Sequence, residues 1–73
     1  SYDLPEQATV NIIIYDMLGR QVRTLINKTQ DAGYKSVIWN ATNNQGNPAS
    51  AGVYLYHIHA GEFVQTRKMV LLK

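Results

Sequence analysis

The chain has 73 residues, a net charge of +2, 16% charged residues and no cysteine. That length supports one hydrophobic core and not two, and a domain so small buries only roughly 60% of the surface its unfolded chain exposes. The composition excludes disulfides and thiolate metal sites, a clustered Lys/Arg nucleic-acid surface, and an apolar run near the roughly 18 residues of a membrane helix.

Helical periodicity is weak throughout, whereas short β-branched and aromatic runs alternate with Gly, Asn and Pro clusters. Tyr2 to Leu4 reads as a short extended piece ended by Pro5, a residue suited to a strand end. Ala8 to Tyr15 is the strongest strand, with Val10, Ile12 and Ile14 on one face and Asn11, Ile13 and Tyr15 on the other. Asp16-Met17-Leu18-Gly19 predicts a tight reversal, with Asp16 stabilising the turn and Gly19 taking positive φ. Gln21 to Asn27 returns antiparallel, with Val22 and either Leu25 or Ile26 inward. Thr29 to Gly33 is polar and turn-like, and Tyr34 to Asn40 predicts a strand with Val37 and Trp39 on one face.

The stretch Thr42 to Ser50 is a loop dense in Asn, Gly, Pro and Ser. Gly52 to Ala60 alternates cleanly, with Tyr54, Tyr56 and Ile58 on one face and Val53, Leu55, His57 and His59 on the other. Ala60-Gly61-Glu62-Phe63 predicts a hairpin, Gly61 suiting the first central position of a type II′ turn. Phe63 to Leu72 is the last strand, and its register stays open because both faces carry apolar residues. Turn signals recur at intervals of about 8–12 residues, the pattern of an all-β sandwich or small barrel. The expected core holds Val10, Ile12, Ile14, Val22, Val37, Trp39, Tyr54, Ile58 and part of Met69 to Leu72.

Residues that could carry chemistry are few. His57 and His59 share a strand face and could share a metal, but Glu62 is the one acid close in sequence. The loop Thr42 to Ser50 lacks the carboxylates that calcium requires, and its asparagines fit Asx turns better. Ser, His and Asp all occur without a nucleophile elbow. The tyrosines and Trp39 could stack sugars, although packing is the commoner use of such residues. Two Asn-X-Thr triplets, at Asn27 and Asn40, read as loop-edge residues. The expectation is no enzyme, no cofactor and no metal.

The order of motifs then matters. Tyr2-Asp3-Leu4-Pro5 precedes a β-branched strand ending Ile14-Tyr15-Asp16, followed by Leu18-Gly19-Arg20-Gln21-Val22, Ala32-Gly33 and Val37-Ile38-Trp39-Asn40. Ala51-Gly52-Val53-Tyr54-Leu55-Tyr56, Ala60-Gly61 and Thr66-Arg67-Lys68-Met69-Val70-Leu71-Leu72-Lys73 complete the set. Together they resemble the type A C-terminal sorting domain of the type IX (Por) secretion system, a family related to the immunoglobulin-like domain of the flagellar hook-capping protein. One departure is local: after Trp39 the family often has Asp-Gly, where this chain has Asn40-Ala41.

The resemblance implies a small immunoglobulin-like antiparallel β-sandwich of about six or seven strands. It implies a single domain over residues 1–73, excised from a longer secreted protein with any export signal elsewhere. Its partners would be an N-terminal passenger, the outer-membrane type IX translocon or a shuttle protein, and a sortase-like peptidase that removes the domain. It would occupy the periplasm in transit, and then the cell surface or the medium. The implied recognition residues are Gly52, Tyr54, Lys68, Met69, Val70, Leu71, Leu72 and Lys73. A terminal edge strand with open N–H and C=O groups supplies the physical means, by β-augmentation, and also predicts weak self-association. The rival is a structural or adhesive Ig-like module, either a hook-cap-like assembly domain or a binder of carbohydrate or matrix.

Overall fold

A computed structural model describes residues 2–72. Six strands are present: β1 (Tyr2–Leu4), β2 (Ala8–Asp16), β3 (Gln21–Gln30), β4 (Gly33–Lys35), β5 (Gly52–Ala60) and β6 (Phe63–Leu71). They form an antiparallel sheet in the order β3-β2-β5-β6 and a two-stranded antiparallel sheet, β1-β4. This is the small all-β sandwich that the alternation predicts.

β2 is central because every second residue is β-branched or apolar and both neighbours match it. Ile12 sits opposite Ile26 on β3 and Ile58 on β5. Val10, Ile12 and Ile14 are essentially without solvent contact. One cluster joins Val10, Ile12, Ile58 and Ala60 to Tyr2 and Leu4 of the small sheet. A second joins Ile14 and Tyr54 to Ala49, with Trp39, Met69 and Leu71 packed against them. Tyr2, Leu4 and Ala49 are core residues that alternation alone misses, since the first two lie on a strand too short to show a period and the third lies in a loop.

Two expectations are corrected, and one open choice is settled. The strand expected over Tyr34 to Asn40 reduces to β4, Gly33–Lys35. Val37 and Trp39 still face the core, but packing and the Trp39 indole N–H, which donates to Thr42 O at 2.8 Å, hold them without a ladder. The turn expected over Thr29 to Gly33 begins later, because Ala8 and Thr9 pair with Gln30 and Thr29 and draw β3 on to Gln30. The choice between Leu25 and Ile26 is also resolved. A register shift beside Ile12/Ile13 leaves Leu25 as an extra residue, so both side chains pack inward.

The two tight hairpins follow local chemistry. At the first, Asp16 Oδ1 accepts the Leu18 and Arg20 amides at 2.9 and 3.0 Å, and Oδ2 accepts Arg20 Nε at 2.8 Å. The Arg20 backbone N–H, with its side chain and the Leu18 amide, holds the Asp16 carboxyl below the usual carboxylate range. Whatever stability this adds is complete above the unfolded-state value and is lost as pH falls through the lower, folded one. At the second hairpin Ala60 pairs with Phe63 across two residues, and Gly61 has φ +60°. Glu62 has negative φ, which favours type II′ over type I′.

Ala41 is the one non-glycine residue with positive φ among those described, at +63°. It occupies the position where the resembled family often has glycine. A side chain in this region costs an L-residue about 1–2 kcal/mol, and glycine loses part of that gain to unfolded-chain entropy. Ala41→Gly is therefore expected to stabilise the protein by about 0.5–1 kcal/mol in urea unfolding. A destabilised variant would show that the methyl group contributes packing that outweighs the strain.

Candidate functional site

The four-stranded sheet has two edges, and they differ. β3 is covered along part of its length by the loop after Trp39. Asn44 N donates to Val22 O at 3.0 Å, and Asn44 Oδ1 accepts from Thr24 N at 3.0 Å. Arg23 Nη1 donates to Asn43 O at 2.7 Å. The loop is held in shape by Asn43 Oδ1, which accepts the Gln45 and Asn47 amides at 3.0 and 2.9 Å. The asparagines thus serve as Asx turns, as their pattern predicts. The part of Arg23 in this brace was not legible, because a single arginine in an alternating strand carries no signal of what it reaches.

β6 has no such cover among the described residues. Its register on β5 runs from Ala60↔Phe63 to Gly52↔Leu71. A two-residue hairpin closes on a hydrogen-bonded pair, and antiparallel pairs alternate. The main-chain groups of Phe63, Gln65, Arg67, Met69 and Leu71 therefore turn toward β5. Those of Val64, Thr66, Lys68 and Val70 turn outward. The same parity sends Met69 and Leu71 into the second core cluster and leaves Val70 exposed.

The eight residues implied in recognition separate accordingly. Lys68 and Val70 lie on the outer face with open main-chain groups. Met69 and Leu71 anchor β6 to the core, and Leu72, beyond the strand end, is 83% exposed. Lys73 lies outside the described residues. Tyr54 is buried, its hydroxyl donates to Ser50 O at 2.6 Å, and its ring meets Trp39 edge-on at 5.2 Å. Gly52 pairs with Leu71 at φ +153°, a backbone state that side chains rarely adopt. Gly52 and Tyr54 thus position β5, on which β6 hangs.

On the outer face His57 Nδ1 lies 2.8 Å from Thr66 Oγ1. Among the described residues no three His, Cys, Asp or Glu side chains gather where they could hold a metal ion. Asp16 is committed to its turn and Arg20. What β6 offers chemically is a row of main-chain donors and acceptors beside the positive charge of Lys68.

Compared with known proteins, the chain matches a family model described as FlgD Ig-like domain over residues 1–63. No curated protein and no solved structure matches it. All of β6 after Phe63 lies beyond the matched residues.

Proposed function

The chain belongs to the FlgD Ig-like domain family, and on that premise we propose that it is a non-catalytic structural Ig-like module that joins a protein neighbour through the open edge of β6. The observation that supports this is the contrast between the sheet edges: the Asn43-Asn44 loop covers part of β3, while among the described residues nothing covers β6 over Val64, Thr66, Lys68 and Val70. Added strands gain affinity from main-chain bonds, and Lys68 disfavours indiscriminate pairing. A second copy is the simplest neighbour, since one β6 edge can pair antiparallel with another about a two-fold axis.

Sedimentation velocity over a concentration series tests this. The expected result is a reversible dimer that Thr66→Pro abolishes and Thr66→Ala retains. The Thr66 N–H points away from β5, so proline there removes no ladder bond. A monomer at every concentration would end the self-pairing form of the proposal.

A second reading is favoured by the composition of the strand segment outside the family match. There, Thr66-Arg67-Lys68 runs into Met69-Val70-Leu71-Leu72-Lys73, the motif that resembles type IX sorting domains. In that reading β6 is the element to which an outer-membrane translocon or shuttle protein adds a strand. Lys68 to Lys73 are its recognition residues, and Gly52 and Tyr54 act by holding β5. The passenger would precede the domain, cross the periplasm with it, and be released at the surface by a sortase-like peptidase.

A further inference from the structure

The two-stranded sheet is too narrow to cover the four-stranded one. β1 pairs only with β4, and beside it a cleft of about 580 Å³ opens toward β6. Its floor is apolar, formed by Leu4, Ile58 and Ala60, and Phe63 on its β6 wall is 51% exposed. The inward side of β6 is uncovered here, where Gln65 and Arg67 replace the apolar residues found further along the strand. The space has the place and lining of a third strand of the small sheet.

Its charge is opposite to that of the rest of the molecule. Asp3, Glu6 and Glu62, three of the five acidic residues in the chain, line the cleft, while Arg67 is the one cation among the lining residues. With its side-chain oxygen turned toward Arg67, Gln65 accepts from Nε and Nη2 at 2.9 and 2.8 Å, which engages that guanidinium within the protein. The three carboxylates are exposed and form no ion pair among the described residues. The protein as a whole carries +2, so this cleft is a local reversal of sign.

We infer that the cleft is a docking site for an extended segment of a partner protein in which lysine or arginine alternates with apolar residues. The segment adds beside β1. Its apolar side chains enter the floor, and its cations face Asp3, Glu6 and Glu62. Period-two alternation gives an extended peptide these two faces, which the cleft matches with an apolar base and an acidic rim. The site is separate from the outward edge of β6 and does not depend on the function proposed for that edge.

The test titrates the isotope-labelled full chain with a short peptide alternating lysine and valine, and with its counterpart carrying glutamate for lysine. The lysine peptide is expected to shift the amide signals of Asp3, Leu4, Glu62 and Phe63, and to bind less tightly as salt rises. The combined variant Asp3→Asn, Glu6→Gln and Glu62→Gln should bind about tenfold more weakly, because three exposed charge pairs are lost without disturbing the core. Thr66→Pro should bind as the native chain does. Equal binding of the glutamate peptide would overturn the inference, as would the absence of binding. So would shifts confined to the outward positions Val64, Thr66, Lys68 and Val70. Concentration-dependent shifts of the same cleft signals without peptide would assign the cleft to a second copy and also overturn it.

Discussion

Replacing Ile12 with alanine is expected to cost about 2–5 kcal/mol, the range for truncating a large aliphatic side chain in a packed interior. Ile12 is 1% exposed and lies between Ile26 and Ile58 on the flanking strands, with Leu4 and Val10 in the same cluster. Ile26 and Ile58 are fixed by their ladders, whereas a cavity of about 190 Å³ that Ile12 shares with Val37, Trp39 and Met69 leaves room for partial repacking, which places the loss toward the lower end of that range. A domain of this size has roughly 4–11 kcal/mol to lose, so the variant should give up a large share of its stability and unfold at a clearly lower urea concentration. Ile13→Ala is the control, on the half-buried outer face and opposite His57. Its loss should stay below about 1 kcal/mol, since less apolar area leaves the protein interior. Urea unfolding with an unchanged slope would measure both. Equal losses at the two positions would contradict the assignment of the two faces.

If β6 is a sorting element, Thr66→Pro is expected to stop export of a fluorescent passenger fused ahead of the domain, in a type IX-competent bacterium. Truncation from Met69 onward should also block export, but that result is ambiguous. Met69 and Leu71 pack against Tyr54 and Ile14, so the truncation removes core as well as edge. Proline at Thr66 leaves those contacts in place and blocks an outward-facing donor near the centre of the row formed by Val64, Thr66, Lys68 and Val70, while Thr66→Ala, which shares the loss of the hydroxyl's bond to His57, is the control for the side chain. Retention of the proline variant in the periplasm, with a folded domain and with Thr66→Ala delivered normally, would support edge recognition. Normal delivery of the variant would remove the sorting reading of this edge. Normal delivery of the native fusion in a translocon mutant would separate the domain from that route altogether.

The strands with the cleanest alternation were legible without coordinates. β2 and β5 carry period-two runs of β-branched and aromatic residues, and their inward and outward faces fall as that period dictates. The hairpins at Asp16 to Gly19 and at Gly61-Glu62 were legible for the same reason, since their chemistry is local. The limits of local pattern show at β4. Tyr34 to Asn40 alternates as a strand should, yet only Gly33–Lys35 finds a partner, because pairing requires an adjacent edge and β1 is three residues long. Side-chain pattern alone left the register of β6 open, because Met69, Val70, Leu71 and Leu72 are all apolar. Counting forward from the two-residue Gly61-Glu62 turn assigns it, and the pairing of Ala60 with Phe63 fixes that count.

By itself, then, the sequence determined an all-β domain, the inward faces of its two central strands and the identity of its tight turns. Each of these follows from side-chain period or from backbone chemistry within a few residues. Tertiary structure alone decided which sheet edge stays open, that Arg23 and Asn44 brace the other edge, and that Asp3, Glu6 and Glu62 meet around one apolar cleft. Those outcomes join residues 20 to 60 positions apart, and no local period records which distant groups a fold brings together.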